Sequence, residues 1–172
     1  MAQGEVGTAR GGALGIGNGG VATVTNSTFD HNVALGGSNN TAGTAPVIIG
    51  TGRGGGMFSE LASTLTASGL TLTNNQAIGG QGAPGSSAGD GLGGGIYNDG
   101  TSKVTVTTST ITQNSATGGA AGSGGTAGQG IGGGVYFASG GTACLDAYTV
   151  AHIFGNSAST SNPDVFGDYT IC

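Results

Sequence analysis

Arg10, Arg53 and Lys103 are the basic side chains of this 172-residue chain. A lysine or arginine base, with acids or Ca2+ to neutralise the substrate, is what lyase cleavage of a uronate requires. Arg10 and Arg53 open equivalent phrases of the internal repeat described below, but Lys103 falls at another phase, so the three do not gather. Hydrolysis of a glycoside needs two carboxylates converging on one face instead. Asp30 is followed at equivalent positions by Thr73 and Thr112, while Asp90 and Asp99, on either side of a Gly-Gly-Gly strand, read as turn formers. His31 and His152 fall in different columns, and no Cys/His group has metal-ligand spacing. Gly89-Asp90-Gly91 carries the single hint of a cofactor, a calcium loop, but its sibling loops lack matching acids. Gly-x-Gly-x-x-Gly strings occur in the loops but never between a strand and a helix, as a phosphate site needs. The expectation is a non-enzyme without catalytic, cofactor-binding or metal residues.

Threonine offers a surface rather than a reaction. Thr23, Thr66 and Thr105 align between repeats, as do Thr25, Ser68, Thr107 and Thr149, and a neighbouring strand adds Thr28, Thr71 and Thr110. Stacked as strands, these form uncharged hydroxyl and methyl ladders at ~4.8 Å along the stack and about 7 Å within a strand. Such Thr-x-Thr arrays resemble ice-binding solenoids, whose flat face orders water. Threonine is also simply favoured at exposed β positions and pairs well with itself.

The elements that must position these ladders come from a repeat. Arg10-Gly11-Gly12-Ala13-Leu14, Arg53-Gly54-Gly55-Gly56-Met57, Leu92-Gly93-Gly94-Gly95-Ile96 and Ile131-Gly132-Gly133-Gly134-Val135 are offset by 43, 39 and 39 residues. Asn32, Asn75, Asn114 and Asn156 follow in step, so the chain is an array of coils. Alternation such as Val104-Thr105-Val106-Thr107 reads as half-buried strand, no window shows a helical face, and each repeat yields three short strands followed by a Gly-rich loop. Stacking buries what one repeat cannot. The columns Leu14/Met57/Ile96/Val135, Val24/Ala67/Val106 and Phe29/Leu72/Ile111/Ile153 are expected inside, with the four asparagines as a structural amide ladder.

The composition agrees. Glycine numbers 41 of 172, Pro only 3, and apolar residues make up 35%. Without a strict three-residue period this is not collagen, and so few charges with that apolar content do not read as a disordered chain. Three Lys plus Arg against a net charge of −5 exclude a phosphate-binding stripe, so neither nucleic acid nor an anionic membrane is a partner. The longest aliphatic run, Val47-Ile48-Ile49, is far short of a membrane span. Asn26-Ser27-Thr28 and Asn39-Asn40-Thr41 are glycosylation sequons. The start lacks the regions of a secretory signal, and the neutral Gly/Thr/Asn/Ser composition points to a mature or excised exported piece. The first coil begins at residue 11 without an evident cap, which fits excision from a longer solenoid or head-to-tail stacking.

Gly11-Gly12-Ala13-Leu14 with Phe29-x-x-Asn32 resembles the repeat of the polymorphic outer-membrane protein family. The later variants, with Gly56, Gly95 and Gly134 for Ala and Leu72, Ile111 and Ile153 for Phe, look like bacterial surface β-helix proteins with Gly-Gly-Gly-Ile-Tyr-Asn repeats, as does the tail Ser161–Gly167. The resemblance implies a right-handed parallel β-helix, exported, within an adhesin, autotransporter passenger or surface fibre.

The expected fold is thus one all-β domain, 1–172: coils at about 11–53, 54–92, 93–131 and 132–163, a partial fifth at 164–172, and Gly-rich loops along one flank. By register Cys172 falls about one coil above Cys144, within disulfide reach, with free or intermolecular thiols as the alternative. The function expected is a structural or adhesive solenoid outside the cell or on a bacterial surface. Its partners would be its own coils end to end, a longer chain, or host or matrix glycans and proteins. Ice binding through the threonine ladders is the alternative.

Overall fold

A computed structural model describes residues 7–38 and 50–172. The sequon at Asn39 and the run Val47–Ile49 lie outside the described residues. The chain winds as a parallel β-solenoid of four coils and part of a fifth, and its strands form five parallel sheets. In chain order, coil two contributes Gly52–Arg53, Met57–Ser59, Thr64–Ser68, Thr71–Thr73 and Gln76–Ile78 to sheets one to five. Each strand pairs with its equivalent one coil away. In the second sheet Leu14, Met57, Ile96, Val135 and Val165 are consecutive partners.

Five strands per coil exceed the three expected from the alternation. The additional two are the two-residue strand before the glycines and the Ala-centred strand after the asparagine corner. The corners keep all five short. The first glycine of each Gly-Gly-Gly, Gly54 for example, turns the chain at φ +63°, a conformation that costs glycine nothing and other residues a Cβ clash.

Sheets two, three and four enclose the core. Met57, Leu65, Ala67, Leu72, Ile96, Val104, Val106, Ile111, Val135 and Leu145 are all fully buried there. The three apolar columns read from the sequence are therefore inside, and Leu145 and Val165 extend two of them. Sheets five and one lie close together, and the buried residues of sheet five are the small Ala34, Ala77 and Ala116. A Cβ on Gly91 would collide with the carbonyl oxygens of Ala77 and Thr117.

The glycine loops continue this two-layered flank outward and stack in order. Gly82, Gly85 and Ala88 donate their N–H groups to the carbonyls of Ala120, Ser123 and Thr126 in the next loop, at 2.8–2.9 Å. The period is three, and Gly119, Gly122, Gly125 and Gly128 repeat it, each packed where a Cβ would strike backbone. Three residues per turn is the polyproline II period, so these loops form an ordered layer.

Coil four departs from its siblings. Asn114 and Asn156 lie 42 residues apart where Asn75 and Asn114 lie 39 apart. The additional residues form a short helix, Ala147–Ala151, where the sequence shows no helical face. Asp146 caps it, accepting from the Thr149 N–H at 2.8 Å.

Cys144 and Cys172 are bonded, with Cα atoms 5.7 Å apart. The bond closes a span of 28 residues around the last partial coil. Replacing both cysteines with serine is expected to lower unfolding free energy by about 3–4 kcal/mol. Urea denaturation of oxidised wild type and the double variant checks this; superimposable curves would remove the staple's role.

Candidate functional site

The outward faces of sheets three and four carry the threonines. Thr23, Thr66 and Thr105 are register partners, as are Thr25, Ser68 and Thr107. Thr28, Thr71 and Thr110 form the third ladder. The array spans three coils and then stops. Cys144 takes the place after Thr105, which puts the disulfide on this face, and Lys103 stands between Thr64 and Thr142 in the flanking column.

Thr149 does not belong to the array. It is fully buried in the short helix, and its hydroxyl oxygen accepts the Ser109 N–H at 3.1 Å. Ser109 serves Leu70 in the same way one coil below. The alignment that put Thr149 beside Thr107 assumed an unbroken strand, and the helix shifts it to the inner corner.

The asparagine column is a continuous ladder. Each Oδ1 accepts both the backbone N–H and the Nδ2 of the asparagine one coil earlier: Asn32 to Asn75 at 3.1 and 2.8 Å, Asn75 to Asn114 at 3.0 and 2.9 Å, Asn114 to Asn156 at 2.9 and 3.0 Å. The last donors go to the carboxylate of Asp164, at 3.1 and 2.9 Å. Asp164 stands in register with Gly134, where a Cβ would crowd the Asn156 amide. The partial coil carries no asparagine of its own at this point, so its aspartate fits and replaces the amide.

An aromatic ladder escaped the sequence reading. Phe58, Tyr97, Tyr136 and Phe166 stack outside the core, with ring centroids 5.3, 5.2 and 4.5 Å apart and planes within 19°. Each follows by one residue the apolar residue that turns inward, so the alternation contained the signal. Arginines cover its first rungs. The Arg10 guanidinium lies 6.0 Å from the Phe58 ring centre, and that of Arg53 lies 5.6 Å from the Tyr97 centre. Arg10 also pairs with Glu60 at 3.2 Å. Burial pushes the Tyr97 hydroxyl above the ordinary tyrosine range, against the opposing field of Arg53.

The residues weighed for catalysis are dispersed and occupied. Asp90 accepts from the Gln129 N–H at 2.7 Å. Asp99 accepts from the Leu61 and Thr101 N–H groups, both at 2.9 Å. Burial pushes its carboxyl up, but these donors outweigh it and hold it below the usual carboxylate range. His31 pairs with Asp30, and His152 stacks on Tyr148 at 3.9 Å between ring centres. Among the described residues no three His, Cys, Asp or Glu side chains converge on a point, and no helix is long and apolar enough to cross a membrane.

Comparison with protein families, with curated proteins and with solved structures finds no match to this chain. The reading of its function rests on its own residues.

Proposed function

We propose that this protein is a non-enzymatic structural or adhesive solenoid outside the cell, in a surface fibre or larger adhesin, built up by coil-on-coil stacking. The observation that carries this is the edge of coil one. There the inward Leu14, Val24 and Phe29 are only partly buried, whereas Met57, Ala67 and Leu72, their partners one coil on, are fully buried, and Leu35 at the end of the same coil is exposed. Among the described residues no donor reaches Asn32 Oδ1, whereas its successors each accept two. Among the described residues, half-covered core side chains, a strand edge without a partner and an acceptor without a donor together suit one more coil. The glycine loops then supply the outer surface for a glycan or protein partner.

Electron microscopy and light scattering of the purified chain test this reading. Filaments or concentration-dependent oligomers are expected, and Val33→Lys with Leu35→Lys should abolish them. A wild type that stays monomeric at high concentration would count against self-stacking and favour continuation in a longer chain, which further coils fused ahead of coil one would reveal by raising the unfolding temperature.

The in-register threonine ladders favour a second reading, ice binding. Thermal hysteresis separates the two: Thr66→Lys should abolish it under ice binding, whereas the structural reading expects none in either protein.

A further inference from the structure

We propose that the outward face of coil one carries a binding site for a neutral hexopyranose ring of a glycan, held by Arg10, Asn18 and Glu60. The site adds to the surface of the glycine loops and rests on the adhesive reading for its setting. It starts from two glycines that the fold does not need. Gly15 and Gly17 are successive outward positions, within and just after the strand Leu14–Ile16. Register sets Gly15 against Phe58, and Gly17 continues it to Glu60. Neither glycine lies in the left-handed region. A Cβ on Gly15 would meet only the Arg10 carbonyl oxygen, at 3.7 Å, and one on Gly17 would touch the Glu60 side chain at 3.4 Å, both ordinary contacts. Gly11 and Gly12, a few residues earlier, would instead drive a Cβ into backbone. Glycine weakens a strand, and where no bulge or tight bend calls for it, it marks the close approach of something else.

The two missing side chains leave a step one rung deep in the outer surface. Arg10, Asn18, Phe58 and Glu60 surround an open depression of about 260 Å³ there, room for one pyranose ring with its rim in solvent. The later coils have no such step at this column, because Tyr97, Tyr136 and Phe166 follow Phe58 rung by rung.

The chemistry of the walls selects the ligand. Arg10 and Glu60 pair at 3.2 Å with their side chains 44% and 16% exposed, and the buried Phe58 ring backs the guanidinium at 6.0 Å. Among the described residues only Nη1 of this guanidinium is engaged, which leaves the rest of its fork for a ligand. The pair is neutral overall. It offers donors from the arginine and acceptors from the carboxylate, and the exposed Asn18 amide supplies both. Two neighbouring hydroxyls are the matching group, since each donates and accepts. An anion would be opposed by Glu60 and a cation by Arg10. The bare backbone at Gly15 and Gly17 lets a flat ring come close to the strand.

The test is an amide NMR titration of the full chain, carrying Val33→Lys and Leu35→Lys to keep it monomeric. The probes are the methyl pyranosides of glucose, galactose and mannose, with Nα-acetyl-tyrosine amide as an aromatic ring for comparison. Saturable shifts at Gly15, Gly17, Asn18 and Glu60 are expected with at least one of the sugars, in the millimolar range for so small a probe. Arg10→Gln and Glu60→Gln should each weaken binding about fivefold. Gly15→Leu should abolish it by filling the step, with a melting temperature at or above that of the parent, which separates a lost site from a lost fold. No shifts with any sugar, shifts confined to the glycine loops, binding that survives Gly15→Leu, or tighter binding of the tyrosine probe would each overturn the proposal, the last in favour of an aromatic side chain of a protein partner. Coil stacking does not enter this measurement, so its failure and that of the filament test are told apart.

Discussion

Replacing Asn114 with alanine is expected to cost about 4 kcal/mol or more of stability. The side chain is fully buried, and its loss strands several groups at once. The Asn75 N–H and Nδ2 lose their acceptor, and the carbonyls of Leu72 and Thr112, with Asn156 Oδ1, lose a donor. Each buried polar group left unpaired costs about 1–3 kcal/mol, against a typical total of about 5–15 kcal/mol. Asn114→Asp should be at least as damaging, since a carboxylate has no donor for the Leu72 carbonyl and meets Asn156 Oδ1 oxygen to oxygen. Asn32→Ala is the internal comparison, because that side chain is only partly buried and, among the described residues, its oxygen receives no donor. Urea denaturation with matched slopes checks the ranking. A loss under about 1 kcal/mol for Asn114→Ala would mean that the ladder is incidental to coil stacking.

Gly94→Ala is expected to prevent folding. A methyl group there would sit inside the carbonyl oxygens of Gly133, one coil on, and Ser115, across the same coil. Both obstacles are backbone, Ser115 within a strand and Gly133 at a corner hydrogen-bonded to the next coil, so no side chain can swing away. Overpacking against flexible side chains costs about 1–3 kcal/mol, and rigid backbone on two sides raises that figure. Gly94 is not in the left-handed region, so the effect is steric alone. Gly7→Ala, with nothing within 4 Å, should be silent. Circular dichroism and yield of soluble protein give the readout, and a folded Gly94→Ala protein would refute the close-packed account of these glycines.

The columns were legible because the repeat keeps step. One phrase carrying Gly-Gly-x-apolar and one carrying asparagine aligned three inward columns through coils two and three, while Leu65, Leu70 and Val104, buried beside them, were not singled out. Coil four hid its own arrangement. Thr149 continued the spacing of Thr107 in the sequence, yet Asp146, three residues earlier, is the capping signal that places it in a helix. The aromatic ladder was visible in the same phrases as Phe58, Tyr97 and Tyr136, but outward positions are judged by what they face, which one repeat does not reveal. Asp164 closing the amide ladder had no signal, since it sits at a glycine position and acts at an asparagine one. Glycine looked like composition; only the three-residue period of hydrogen bonds between adjacent loops shows why so much of it is needed.

Pulled along its axis, this molecule would come apart one coil at a time. Its strands lie across the axis, so force loads the bonds between adjacent coils in sequence, as in opening a zip. Releasing one 39-residue coil lengthens the chain by about 130 Å at full extension. The loop layer adds N–H bonds to every such step in coils two and three, so each coil resists as a broad ribbon. The Cys144–Cys172 bond keeps its 28-residue span from paying out. Yielding would then proceed from the unstapled end in steps of 39 to 43 residues.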